Sequence, residues 1–585
     1  MGRWIVIGEA VWMIALIVTP LIQKKIVSNK WRYLYVVPAI VTCGLAFLVG
    51  FNPYLVGMCV ASILTLSQMD LKITKAKMIL SGMSVLVLFV SLGLGDRVSK
   101  RIDFKGDFEL AFSNMKAHYV LDVEKGIDWE ALYIEYAPQF AEVTKAQDQT
   151  EGYCLWQEYL RNFYDGHVSF VPGDVFKDEE IYKAYGNDYG LSLLRLADGR
   201  FVAVNVEGAQ ETLNGMADVQ KFNAYSIMNP DRTFPKIQNL CVENVFEKRL
   251  TLKKAGIHNG TVITKWNGKP VEDWFENVRC YLFQCPDREN ELFYLPLYVA
   301  GIGGESVSIE FLDDAGEHKS VEAPKLGAYL GRVYSTLDLL DNGVNISNLD
   351  WQEINEDTVL LRIYSMSYDI KSYSGSDYSQ MMDELRPKIL EYRERGMKNL
   401  IIDLRKNTGG SPYMVAGVAT LFAPAEEFPY YYSAVLNEKT GIFERGEDGK
   451  YQKGKAVTYS GEDLWKDGKI ILLVNGETVS AGDDMTNLMA KFPNVWIMGF
   501  TKSNSSCQAV KEMRLSSGKI TFSAVPNLDE NGDVIIDTGV DHVGRVPCDE
   551  IVPITEEVIK KMFDKGEDFL LEYAISQFET NHPEG

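Results

Sequence analysis

The sequence predicts an α/β core interrupted by a β-rich module and preceded by an all-α membrane segment of four helices. Three observations predict it. Four apolar stretches follow one another before residue 96, Gly turns punctuate β-prone runs over residues 185–325, and strand-like and helix-like stretches alternate after residue 355. The implied divisions are 1–98 for the membrane segment, 105–184 for a helical lead-in, 185–325 for the inserted module and 326–575 for the α/β core. A chain of 585 residues exceeds what one core accommodates, so several domains are expected.

The apolar stretches run Trp4–Ile22, Tyr33–Phe51, Tyr54–Gln68 and Met78–Leu94. Most approach the ~20 residues a helix needs to cross a bilayer. The second and third are separated only by Asn52-Pro53 and read as a tight hairpin. Four nearly uncharged runs in succession exceed ordinary core helices. Glu9 is the one acid inside a span and is expected to face another helix. A single Arg precedes the first stretch and no small-residue cleavage site follows it, so it reads as retained.

Orientation follows the basic loops. Lys24, Lys25, Lys30 and Arg32 lie in the first, and Lys72, Lys75 and Lys77 in the third. Both loops fall on one side, which is expected to be cytoplasmic. The expectation is a multi-pass protein of the cell membrane with everything after residue 96 outside, although Arg97, Lys100, Arg101 and Lys105 oppose that bias.

Charge is unevenly spread. The formal net charge is −22, yet residues 1–99 hold nine Lys/Arg against three Asp/Glu. An acidic remainder argues against a nucleic-acid partner. The eight cysteines include no CxxC pair and no Cys/His cluster with metal-ligand spacing. Cys280 and Cys285 are close enough in sequence to suggest a disulfide, but this is not a disulfide-built scaffold.

In the lead-in, Leu155, Tyr159, Leu160 and Phe163 have helical spacing, and Asp165-Gly166 is a turn signal. His167 therefore sits at a junction before the β-prone Val168-Ser169-Phe170. Beyond residue 355, Val359–Ile363, Leu400–Leu404, Ile470–Val474, Val495–Met498 and Ile520–Ala524 read as strands. Helices are expected over Asp377–Arg395, kinked at Pro387, from about Tyr413, and over Ala481–Lys491.

Two loops carry candidate chemistry. Asp403-Leu404-Arg405-Lys406-Asn407-Thr408-Gly409-Gly410 leaves a buried strand and enters a helix, where main-chain N–H groups favour negative charge. The Lys-[Ser/Thr] of a phosphate loop is absent, so an oxyanion hole fits better. Gly476-Glu477-Thr478-Val479-Ser480-Ala481-Gly482-Asp483-Asp484 also joins a strand to a helix. Alone, Ser480 reads as a helix N-cap. Beside the Gly loop, it follows the logic of a nucleophile elbow.

Ala255-Gly256-Ile257-His258-Asn259-Gly260-Thr261-Val262-Ile263, followed by Trp266-Asn267-Gly268-Lys269-Pro270-Val271, resembles the PDZ family, with an insertion around residues 208–250. The resemblance implies that Gly190 and Leu191 receive a peptide terminus and that peptides add as a strand. DLRKNTGG and TVSAGD resemble the S41 peptidases, the C-terminal processing and tricorn-core family, across roughly residues 110–560. What this resemblance implies is a serine peptidase with a polypeptide substrate and no metal or organic cofactor. Ser480 would be the nucleophile, His167 the base and Asp541 the orienting acid, with Ala481 and Gly410 or Gly409 as the oxyanion hole. Asp541 is selected because it precedes Gly544 by three residues in Asp541-His542-Val543-Gly544-Arg545-Val546-Pro547.

His542 is the rival histidine. Lys502, in Gly499-Phe500-Thr501-Lys502-Ser503-Asn504-Ser505, is the alternative base of a Ser–Lys dyad, although Asn504 falls nearer the position where that branch carries its Lys. A non-catalytic peptide- or ligand-binding membrane receptor on the same fold, or a membrane sensor, are the competing functions. Oligomeric state and cleavage preference stay open.

Overall fold

A computed structural model describes residues 101–206, 251–341, 349–367 and 375–579. The chain divides into two compact units, Met1–Asp103 and Phe104–Gly585. The four apolar stretches lie outside the described residues, and no helix among the described residues is long and apolar enough to cross a membrane.

The second unit begins with α1 (Phe104–His118), α2 (Trp129–Ala146) and α3 (Gln149–Arg161). Asp128 and Asp148 cap α2 and α3, Asp128 accepting the Glu130 and Ala131 N–H groups and Asp148 the Glu151 N–H. The helices close on an aromatic core in which Phe108 stacks on Phe140 at 4.6 Å and Trp156 stacks on Phe170 at 5.2 Å. This core fixes where α3 ends, and so where the Asp165-Gly166-His167 turn and strand β1 (Ser169–Pro172) begin.

The following module contains β2 (Ser192–Arg195), β3 (Phe201–Val204), β4 (Ile263–Trp266), α4 (Arg288–Val299), β5 (Ser306–Leu312) and β6 (His318–Pro324). β2 and β3 pair antiparallel, and β4-β5-β6 form a second antiparallel sheet. A bridge between Val202 and Val262 joins the two. After β4, Asn267 and Gly268 have φ of 47° and 76°, the left-handed pair that a two-residue hairpin needs. Within this largely β module, helix α4 packs on β2. Asp287 nucleates it by accepting the Asn290 N–H at 2.9 Å.

After α5 (Leu330–Asp341), the core is built from β7 (Leu349–Glu353), β8 (Thr358–Ile363), α6 (Gly375–Glu394), β9 (Asn399–Asp403), α7 (Pro412–Phe422), β10 (Glu427–Ala434), β11 (Lys453–Ser460), β12 (Lys469–Leu473), α8 (Ala481–Met489), β13 (Val495–Gly499), β14 (Ala509–Arg514), β15 (Gly518–Val525), β16 (Glu550–Ile551) and α9 (Phe569–Glu579). Six strands make one sheet in the order β16-β13-β12-β9-β8-β7, parallel except for β7. Val359, Leu361, Leu400, Ile402, Ile470 and Leu472 face helices α6, α7 and α8 in one apolar cluster. The alternate residues Leu360, Ile401, Ile471 and Leu473 are buried too, as strands covered on both faces require. Helix α6 runs through Pro387, where a kink was expected.

Parallel strands end together, so the loops after β9, β12 and β13 meet at one edge of the sheet, the usual position for ligands in such folds. Strand β1 lies against β15, and the Thr521 hydroxyl donates to the His167 carbonyl at 3.0 Å. The His167 turn is thereby tied to a strand that follows the core's last parallel loop.

Candidate active site

The loop after β9 is held from beneath by charge. Arg405 is 3% exposed and bonds both Asp403 and Asp568, with Nη2 2.7 Å from each carboxylate. Asn407 is fully buried, its amide nitrogen donating to the Ile363 carbonyl and its oxygen accepting the Gly409 N–H at 2.9 Å. The second loop is sewn to the first. The Thr478 hydroxyl donates to the Leu404 carbonyl at 2.8 Å, and the Val479 N–H donates to the Asn407 carbonyl at 3.0 Å.

Ser480 then sits on the turn into α8 with φ 63° and ψ −124°. A left-handed φ at a non-glycine residue costs of order 1–3 kcal/mol and persists only where the surroundings impose it. Ser480 occupies the N-cap position of α8, yet its side chain makes no capping hydrogen bond. The hydroxyl stands in a strained strand-to-helix elbow beside the Gly-Gly loop. A Cβ added to Gly409 would fall 2.5 Å from Ser480 Cβ and 2.9 Å from the Ala481 nitrogen.

Of the three expected oxyanion donors, two remain. Gly409 donates its N–H to Asn407 Oδ1 and is corrected from donor to spacer. Among the described residues, the Gly410 and Ala481 amides have no hydrogen-bond acceptor.

The histidine arrives through Ser506. The Gly166 N–H donates to Ser506 Oγ at 2.8 Å, and the Ser480 N–H donates to the Ser506 carbonyl at 2.8 Å. A Cβ on Gly166 would strike Asn504 Oδ1 at 1.9 Å, so only glycine lets the turn approach. Asp483, fully buried, fixes Ser506 by accepting the N–H groups of Ser505 and Ser506 at 2.9 Å. Burial pushes the Asp483 carboxyl up to about 8.

Neither ring nitrogen of His167 has a hydrogen-bond partner among the described residues, so the Ser480 hydroxyl is not bonded to the imidazole in this conformation. Burial holds the ring below the ordinary histidine value. The Asp165 carboxylate opposes that, as does the Gln508 main chain, which lies close without forming a hydrogen bond of ordinary geometry. Asp165 is fully buried. It accepts from the His167 N–H at 2.8 Å, the Ser523 hydroxyl at 2.8 Å and the Tyr119 hydroxyl at 3.1 Å.

Three further expected site residues make other contacts. Asp541 is half exposed and pairs with Arg545 at 3.5 Å, and neither ring nitrogen of His167 has a hydrogen-bond partner among the described residues. Lys502 pairs with Glu289 at 3.2 Å and lies 3.9 Å from Asp287, so its amine is engaged by these carboxylates. The Gly190 N–H donates to Asp188, and Leu191 is fully buried, so this turn does not offer the Gly190 amide to a peptide terminus. The rival His542 stacks on Tyr164 with ring centroids 3.7 Å apart.

Ser506, Asp483 and Asp165 were not singled out from sequence. Asp483 was legible only as the residue three after Ser480, and nothing in the chain order joins Ser506 to Gly166.

Residues 357–542 match the family described as Peptidase family S41, and residues 101–150 match the tricorn protease C1 domain. The chain is similar to peptidase family S41 over residues 357–542. The S41 region contains both loops and ends on His542, so Ser480 and the Gly409-Gly410 pair lie within it while His167 lies before it. No curated protein matches the sequence. Among solved structures, mature CPAF complexed with lactacystin matches at 11% identity, covering 82% of this chain and 100% of its own, with TM-score 0.47. A peptidase of Parabacteroides merdae matches at 16% identity, covering 81% and 96%, with TM-score 0.40. The photosystem II D1 C-terminal processing protease matches at 13% identity, covering 79% and 97%, with TM-score 0.33.

Proposed function

We propose that this protein is a serine endopeptidase that hydrolyses peptide bonds by acyl transfer, held at a membrane by residues 1–98 with its S41 region outside. The observation that carries the reading is the strained Ser480 turn, whose hydroxyl caps nothing and which packs against Gly409 of the Gly-Gly loop.

Ser480 Oγ attacks the substrate carbonyl, and His167 accepts the hydroxyl proton and later donates it to the leaving amine. The main-chain N–H groups of Gly410 and Ala481 receive the developing oxyanion. Catalytic hydrogen bonds are commonly loose before substrate binds, so the Ser480–His167 contact is expected to close in the substrate complex. The acidic role expected of Asp541 passes to Asp165, whose charge reaches the imidazole and whose oxygen holds the His167 main chain. Substrates are polypeptides, expected to be exported or membrane-proximal because the four apolar stretches precede the S41 region.

The test is covalent labelling by a fluorophosphonate probe. Label on the wild-type chain at Ser480, absent from Ser480→Ala, supports acyl-transfer chemistry. A folded wild-type protein that takes no label and cleaves no peptide library would favour the non-catalytic receptor.

A further inference from the structure

Two cysteines that no sequence spacing connects lie sulfur to sulfur. Cys154, on α3, and Cys280, on the loop before α4, have Sγ atoms 3.2 Å apart. They are separated by 126 positions in the chain. Both are buried, at 5% and 3% exposure. The sequence allowed a pairing of Cys280 with Cys285, but the Cys280 sulfur faces Cys154.

The flanking contacts hold the loop on α3 at this point. Arg279 reaches Glu151 with Nη1 and Nη2, each at 2.8 Å, and also bonds Glu158. Those acids lie three residues before and four after Cys154, which puts all three on one helix face. On the other side of Cys280, the Tyr185 hydroxyl donates to the Tyr281 carbonyl at 3.0 Å, and Tyr185 is itself bonded to Tyr153. The cysteine is therefore pinned from both neighbours. A sulfur–sulfur bond of about 2.05 Å needs only a small further approach.

We infer that Cys154 and Cys280 are a disulfide site joining α3, the helix that precedes the His167 turn, to the β-rich module. Each thiol gives up its proton, one S–S bond forms, and two electrons pass to the disulfide of a thiol oxidoreductase, which is reduced to its dithiol. The exchange runs through a mixed disulfide formed by one cysteine thiolate and resolved by the other. Burial raises the Cys280 thiol well above its ordinary value, so the exchange belongs to folding, before the thiols are enclosed. Such a bond is expected in an oxidising compartment, where the orientation of the four apolar stretches would place this region. The inference stands apart from the peptidase reading, because a non-catalytic receptor of the same fold would carry the same pair.

The test uses the full chain in membranes of the producing cell. Thiols are alkylated under denaturing conditions without reductant, and the digest is read by mass spectrometry. The expected result is a cross-linked peptide containing Cys154 and Cys280, lighter by two hydrogens and abolished by dithiothreitol, with Cys285 alkylated. In Cys154→Ser, Cys280 should become alkylated. Reductant should lower the unfolding temperature of the wild-type chain, with no such loss in the Cys154→Ser/Cys280→Ser double variant. Recovery of both cysteines alkylated, or a link from Cys280 to Cys285, overturns the site whatever the variants do.

Discussion

Gly166 and Ser480 are hydrogen-bonded to the same residue, Gly166 to the side chain of Ser506 and Ser480 to its carbonyl, each at 2.8 Å. One serine thus sets the spacing between the turn that carries the candidate base and the turn that carries the candidate nucleophile. Ser506→Ala removes only the Gly166 link, because the carbonyl bond to Ser480 is main chain. An amide left without its partner costs about 1–3 kcal/mol, and ~1.4 kcal/mol is tenfold in rate. The expected outcome is a fall in kcat of about 10–100-fold with KM little changed and Ser480 still labelled by fluorophosphonate. Unchanged kcat would sever Ser506 from catalysis.

The base is separated from its alternatives by three substitutions. General-base catalysis contributes about 10²–10⁴-fold, so His167→Ala should lose at least that much. Lys502→Ala and Asp541→Ala should each stay within a few-fold of wild type, because both charges are already paired with surface partners. If Lys502→Ala abolishes turnover and His167→Ala spares it, the dyad is correct instead.

A pH profile tests the same residue independently. Burial lowers the His167 imidazole, so the neutral, basic form persists to lower pH than for an exposed histidine. The acidic limb of kcat/KM should therefore fall with a midpoint below about 6.5, the ordinary histidine value. Asp165→Asn removes the charge that opposes this lowering and should move the limb further toward acid. A limb that moves toward alkali in that variant would contradict the assignment of Asp165.

How much of this was legible in the sequence follows from how each residue acts. Gly410, Ser480 and Ala481 act through main-chain geometry at strand-to-helix turns, and such turns are written in neighbouring residues. The parallel sheet was legible for the same reason, since Leu400–Leu404 and Ile470–Val474 are apolar runs that declare themselves buried. Asp541 was chosen by its distance along the chain from Gly544, and spacing does not say that Arg545 will hold it. Ser506 and Asp165 work through contacts across hundreds of residues, to Gly166 and Ser523, and Asp483 reaches Ser505 and Ser506 across a strand and a loop, none of which spacing announces. Helix α4 escaped notice because Pro296 and the surrounding Gly turns mask its pattern.

Buried carboxyls give the fold an unusual pH response. Burial raises Asp483 to about 8 and Asp484 to about 7, and pushes Glu477 and Asp537 upward. A folded-state value above the unfolded one means that the native state binds more protons between the two. That contribution to stability is whole below the unfolded value near 3.8 and is lost as pH rises through the folded one. The unfolding temperature should accordingly be higher near pH 5 than near pH 8.5. Asp484→Asn, which keeps a neutral partner for the Tyr430 hydroxyl 3.0 Å away, should flatten the slope. A stability that rises steadily from pH 5 to 8.5 would mean that these groups ionise freely in the native protein.

The two glycines of the loop after β9 separate steric from electronic demands at the site. Gly409 has φ 92°, and a Cβ there would press on Ser480 Cβ at 2.5 Å. Gly410 has φ 144°, and its Cβ would lie 2.4 Å from the Met366 carbonyl oxygen. Gly409→Ala must therefore push the nucleophile turn itself, while Gly410→Ala must shift the β8-side contact that aims the Gly410 amide. Losing one oxyanion donor costs about 2.7–4 kcal/mol, or 10²–10³ in kcat. For Gly410→Ala the expected outcome is a kcat loss of that order with Ser480 still in place, seen as slowed but complete labelling by fluorophosphonate. For Gly409→Ala labelling should itself fail, because the obstruction lies at the reacting oxygen. Equal, mild effects of both substitutions on labelling and turnover would show that the loop only packs beside Ser480 and that its amides do not face the reaction.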